Sequence, residues 1–384
     1  MEQTLEKQSL IKDKTNFLFL HKLLKAVGDS IVKVFIPLII FRACNNMYLV
    51  ILFACLHYFL SGVLNIILRR FLQRKGVIAI FLSIVPIIAI QFVLAFCPMV
   101  WYVVVLLAVL NALNQVLYSV PINLLFAFTD KNTNVAKFEI AANVGKLAFI
   151  LISGFLLGDS LNNLVVLSIT GAVIYCLSIV PILFGYKLIK ESYAEITHKP
   201  FEIDKSLYRK YNLLHFCFGV YQSTLDVILP LFLFINNLSF NKVVIVMALV
   251  EVGKILANIF SKYIYSKGKP YLLVLIYCAL YIVSVGLIMF LRSLLWLFII
   301  SSIMGVTFPL VFVPLFKTFC NQINKDNYQF RGMINRDFYI LTFRPVLYLP
   351  YLLVNNFLVQ FGMGIATCGL LAIKAKDIFK ENQK

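Results

Sequence analysis

Apolar runs of about 20 residues recur along this chain, each closed by charged or turn-forming residues, and that is the length a helix needs to cross a bilayer. Reading the runs in this way predicts twelve helices, at 17–41, 47–68, 77–96, 101–128, 138–157, 164–185, 213–235, 243–264, 271–291, 294–316, 334–353 and 356–373. A polar segment, 1–16, precedes the first run. No small-residue cleavage site follows a short apolar core there, so the first helix is expected to remain as an anchor.

Composition agrees with this pattern. Of 384 residues, 61% are hydrophobic and 14% charged, with a mean hydropathy of +0.90, far too apolar for a soluble globular protein. Twelve spans leave no room for a catalytic or nucleotide-binding domain of ordinary size. The formal net charge is +18, and its distribution gives it meaning. With the N-terminus inside, the cytoplasmic segments hold 24 of the 35 Lys and Arg, the external segments hold three (Arg42, Lys242, Arg292), and eight lie within spans. Basic residues resist translocation, so both termini are expected in the cytoplasm, and the basic balance needs no nucleic-acid partner. Eight cysteines are scattered without a CxxC pair or a histidine at ligand spacing, and they read as packing residues. Cys44 and Cys97 both fall near the outer face, which leaves a pair between them open. No metal or cofactor is expected.

The chain also repeats itself at an offset of 192 to 195 residues. Pro37 in VKVFIPLII answers Pro230 in LDVILPLFL, RRFLQRKG ending at Gly76 answers SKYIYSKG ending at Gly268, Trp101 answers Trp296, and Pro121 answers Pro314. Landmarks in one order at one spacing signal duplication. The reading is an N-terminal six-helix half, 1–185, a cytoplasmic linker, 186–212, whose charges and Pro200 suit a partly helical strap, and a C-terminal six-helix half, 213–384. With both termini inside, the halves are parallel repeats about an axis along the membrane normal.

Twelve spans, a central cytoplasmic loop and a basic glycine-containing turn between helices two and three resemble the major facilitator superfamily of secondary transporters. The resemblance covers nearly the whole chain. The family motif in that turn reads G-x-x-x-D-R-x-G-R-R/K. Counting back from Gly76, Arg74 keeps the arginine place, while Gln73 replaces the aspartate and Arg69 the first glycine; Val77 and Ile78 replace the final basic pair. In the second half Gly268 survives, and Tyr265 and Ser266 replace the acid and the base. A latch that depends on the motif aspartate is therefore not carried over. The resemblance implies an all-α polytopic membrane protein of two pseudo-symmetric halves, with helices one, four, seven and ten along the central pathway and two, five, eight and eleven beside them.

Charge within the spans points to the same helices. An ionisable residue near the bilayer centre costs roughly 2.5–3.5 kcal/mol and normally faces a cavity or a partner. Helix one carries Asp29 and Lys33, helix five Lys146, helix seven Asp226, helix eight Glu251 and Lys254, and helix eleven Arg336, Asp337 and Arg344. Asp29 and Lys33, at i,i+4, share a face. Lys33 and Asp226 occupy equivalent repeat positions, which predicts an ion pair between the halves. Among the deeper residues four bases (Lys33, Lys146, Lys254, Arg344) meet three acids (Asp29, Asp226, Glu251), and the base left over points to a substrate with an anionic group. Arg344, planar and always charged, is the expected fork for it. Arg336 and Asp337, nearer the cytoplasmic end, are expected to serve a gate together with the turn at Arg74, Gly76 and Gly268. Tyr118, Asn143, Tyr221, Gln222 and Tyr339 offer neutral hydrogen bonds.

The expected function is secondary active transport of a small solute across the cytoplasmic membrane by alternating access, with the proton as coupling ion. Asp29, Asp226 and Glu251 are the deep carboxylates to carry it. The chain has no phosphate-binding loop, HExxH or GxSxG, so neither nucleotide-driven pumping nor enzymatic chemistry is expected. The alternative is a flippase of lipids or lipid-linked saccharides from another twelve-helix family, which would share the size and the basic cavity.

Overall fold

The computed structural model describes residues 2–128, 135–158, 163–197, 205–236, 238–265, 270–290, 293–354 and 356–381, and every regular element among them is helical. They form twelve spans. In the first half these are 2–44, Met47–Ile67, 69–96, Trp101–Phe128, Val135–Leu157 and Leu164–Phe184; in the second they are 205–235, Phe240–Tyr265, Pro270–Phe290, Leu294–Lys325, 329–354 and Phe357–Glu381. A further helix, Tyr186–Thr197, follows the sixth span. Among the described residues nine spans are long and apolar enough to cross a membrane. The first, fifth and eighth fall outside that set, and all three carry charge deep in their length.

Several helices run past the limits that hydropathy suggested: the first begins at Glu2, the tenth continues to Lys325 and the eleventh starts at Gln329. No glycine or proline interrupts 2–27 or 317–325, so backbone hydrogen bonding continues where apolarity has ended.

Breaks in three charged spans each precede a proline. The first span tightens into a 3-10 turn at Lys33–Phe35 before Pro37, and the seventh widens into a π turn at Thr224–Ile228 before Pro230. Proline lacks an N–H, and its ring collides with the carbonyl four residues back. That carbonyl belongs to Lys33 in one half and to Asp226 in the other. The duplicated proline thus loosens the backbone at both charged residues, and π turns inside α-helices are frequent at functional sites. The eleventh span breaks after Thr342 and restarts at Pro345, leaving Arg344 in the break.

The halves meet along two lines, second span against eleventh and fifth against eighth. The repeat exchanges one line for the other. At the end away from the linker, Phe35 packs on Phe240 and Phe41 on Phe234, with ring centroids 5.7 and 5.8 Å apart. Inside the second half, the eighth and tenth spans cross so closely that a Cβ on Gly253 would stand 2.2 Å from the Ser302 carbonyl oxygen. Small residues permit such approach where packing, not water exclusion, joins helices.

The linker helix seats itself on the first two turns of the third span. Tyr193 donates its hydroxyl hydrogen to the Leu72 carbonyl at 2.7 Å, and Gln73 Nε2 donates to the Thr197 carbonyl at 3.0 Å. A Cβ on Gly76 would lie 2.1 Å from the Tyr193 ring, so the glycine here makes room for an aromatic side chain. Burial pushes the Tyr193 phenol above its ordinary pKa, which keeps it a donor.

Candidate functional site

Between the halves lies a cavity of about 460 Å³. Residues of spans one, two, four, five, seven, eight, ten and eleven line it, and among the described residues spans three, six, nine and twelve contribute none. Asp29, Lys33, Lys146, Asp226, Glu251, Lys254, Arg336, Asp337 and Arg344 all border this one space.

In the first half the charges close on each other. Asp29 accepts from Lys25 at 2.9 Å and from the Tyr175 hydroxyl at 2.7 Å, and lies 3.5 Å from Lys33. Lys33 donates to Asn114 Oδ1 at 2.7 Å, and Asn114 in turn donates to the Ser83 carbonyl at 2.8 Å. Lys25 is buried, with its ammonium 4.2 Å from the centre of the Tyr118 ring. The expected Lys33–Asp226 pair does not form. The repeat gives the two residues equivalent places, but each has a nearer partner of opposite charge within its own half.

In the second half Lys254 Nζ lies 2.8 Å from Glu251 and 3.8 Å from Asp226. One ammonium serves two carboxylates, and the more distant, Asp226, keeps 35% of its side chain exposed. Arg344 donates from Nη2 to Gln222 Oε1, and its guanidinium stands 4.6 Å from the centre of the Tyr58 ring on the opposite half. Its Nε has no hydrogen-bond partner, although the residue is only 5% exposed. Among the described residues no carboxylate lies within 4.0 Å of Arg344 or Lys146.

Toward the linker end, Arg336 bonds the adjacent Asp337 at 2.8 Å and stacks 4.6 Å from the centre of the Phe316 ring. The second Asp337 oxygen accepts from Ser119 at 2.7 Å, a hydrogen bond from the eleventh span to the fourth. Arg74 is exposed and Gly76 is buried against Tyr193; Gly268 lies outside the described residues. Asn143 and Gln222 face the cavity, whereas Tyr118, Tyr221 and Tyr339 do not; Tyr221 is buried against Thr307. All eight cysteines are free, and Cys44 donates to the Met99 carbonyl.

Sequence reasoning missed a polar stripe on the fourth span. Asn111, Gln115, Ser119 and Asn123 recur every four residues and all reach the cavity. That spacing in an otherwise apolar span was the available signal. His57 and Tyr58 on the second span also line the space, and His57 Nε2 is buried without a partner.

A family profile described as Major Facilitator Superfamily matches residues 18–330. The chain belongs to that superfamily. It is a multi-pass membrane transporter by family, and the flippase of another twelve-helix family gives way to this match. Comparison with curated proteins returned no match. Among solved structures, a bacterial homologue of the iron transporter ferroportin, in an outward-facing state with soaked iron, aligns with a TM-score of 0.63 at 14% identity, covering 96% of this chain and 99% of its own. The E. coli fucose:proton symporter FucP aligns with a TM-score of 0.58 at 13% identity, covering 94% and 98%. At such identities these superfamily members share the fold alone. Among the described residues of this chain, no three His, Cys, Asp or Glu side chains gather as a metal site.

Proposed function

We propose that this superfamily member is a secondary active transporter that moves a small solute with an anionic group by alternating access, the solute sitting in the cavity between the halves. The observation that carries the reading is Arg344: a buried guanidinium beside the cavity, with Nε unpartnered and, among the described residues, no carboxylate within 4.0 Å. A buried cation without an acid is costly until an anion joins it. Lys146, likewise without a carboxylate in range, adds positive potential on the facing half. Substrate binding and coupling fall in this reading to Asp29, Lys33, Lys146, Asp226, Glu251, Lys254 and Arg344, with the proton as coupling ion. Arg336 and Asp337, with Ser119 across from them, form the gate at the linker end. The chain lies in the cell membrane with both termini cytoplasmic, because the basic residues crowd that side.

Purified protein in proteoliposomes tests this. A proton gradient is expected to drive accumulation of a small anionic or partly anionic solute, and Arg344→Gln to abolish it in protein that still melts cooperatively. Absence of flux across solutes of this class refutes the reading. For the orientation, Leu238→Cys is expected to react with an impermeant reagent from outside and Asp326→Cys only after permeabilisation.

A further inference from the structure

The two halves do not present the same chemistry to the cavity. In the second half an unsatisfied donor and an under-served acceptor line the same cavity. Arg344 holds Gln222 through Nη2 and leaves Nε unpartnered. Asp226 stands four residues, about one helical turn, beyond Gln222 on the same span. It is the most exposed of the ion-paired carboxylates lining the cavity, and its 3.8 Å contact with Lys254 is the looser of the two that this ammonium makes. Local positive surplus at Arg344 therefore borders the same cavity as local negative surplus at Asp226. The two charges do not neutralise each other directly, since no Arg344–Asp226 ion pair forms within 4.0 Å.

A simple anion meets only half of this arrangement. It satisfies Arg344 and places its charge within a turn or so of an exposed carboxylate. A molecule with a carboxylate and an ammonium a few bonds apart meets both: the carboxylate takes the guanidinium, whose planar fork suits two oxygens, and the ammonium takes Asp226 and relieves the shared claim on Lys254. The π turn at Thr224–Ile228 holds Asp226 out of regular helix geometry at this place. Resting on the reading of the cavity as a solute site, we infer that the substrate is a short zwitterion of the amino-acid type, its carboxylate held by Arg344 and its ammonium by Asp226.

The test uses the full-length protein in nanodiscs, titrated with the common α-amino acids, short β- and γ-amino acids, the matching carboxylic acids without the amine, and the matching amines. At least one amino acid is expected to bind ten-fold or more tightly than either of its one-charge fragments. Asp226→Asn is expected to remove that advantage by weakening the amino acid while carboxylate binding holds or tightens, as a like charge has gone, Asp226→Glu to restore part of it, and Arg344→Gln to weaken amino acid and carboxylate together. Melting without ligand separates these effects from misfolding. Equal affinity for amino acid and matching carboxylate, equal loss of both in Asp226→Asn, or no binding of any amino acid overturns the inference. Proton-driven flux of a carboxylate with no flux of its amino acid overturns it while leaving the transporter reading intact.

Discussion

The charge clusters of the two halves centre on spans that the repeat makes equivalent, the first and the seventh, and their conditions are opposite. Around Asp29 the acid has Lys25, Lys33 and Tyr175, and Lys33 is further tied through Asn114 to the Ser83 carbonyl. Around Asp226 one ammonium is divided between two acids, and a buried guanidinium nearby has an amide as its hydrogen-bond partner. The difference teaches that matching a charge to its repeat partner says little about its task. A satisfied cluster welds helices together, because every group in it would be costly to strand. On the proposed function, the unsatisfied one is where the solute binds.

The largest test of that contrast is a pair of isosteric changes. Asp29→Asn leaves Lys25 and Lys33 without their acid and is expected to cost about 3 kcal/mol of stability, the low end of the penalty for breaking a buried pair, since Asp29 keeps 23% of its side chain exposed. Asp226→Asn, one-third exposed and loosely paired, is expected to cost within about 1 kcal/mol and to be read in substrate binding instead. Equal falls in melting temperature would dissolve the comparison.

Exchanging charges across the repeat gives a second test. Lys33→Asp sets two carboxylates on one turn of the first span, and adding Asp226→Lys supplies no partner to that site. The double variant is expected to melt no higher than Lys33→Asp and to recover no transport. Recovery would show that the two residues meet after all.

Two amides sharpen the contrast at smaller scale. Asn114→Leu takes the acceptor from Lys33, and Gln222→Leu takes it from Arg344; a hydrogen bond to a charged group is worth about 1.5–3 kcal/mol. The first loss is expected to appear in thermal stability and the second mainly as a ten-fold or greater loss of affinity. Smallest is Ser119→Ala, which removes the part-buried hydrogen bond to the Asp337 carboxylate across the halves, at the low end of that range, about 1.5 kcal/mol. Spin-label distances between the fourth and eleventh spans are expected to shift toward opening at the linker end, with melting nearly unchanged.

Much of this was legible along the chain. Run lengths gave the spans, the duplicated Pro37 and Pro230 gave the halves, and an ionisable residue in an apolar run marked a cavity helix, because lipid penalises charge wherever the chain folds. The polar stripe from Asn111 to Asn123 was legible too, at a spacing of four. Tertiary structure alone decided who pairs with whom. Asp29 takes Lys25 and Tyr175, Asp226 takes Lys254, and Gly76 receives Tyr193 rather than serving an acidic latch. Hydropathy and periodicity fix which residues must leave lipid and which face of a helix they share. Ion pairs and hydrogen bonds form only within about 3–4 Å, and at that range the partner is set by how helices distant in sequence are turned against one another.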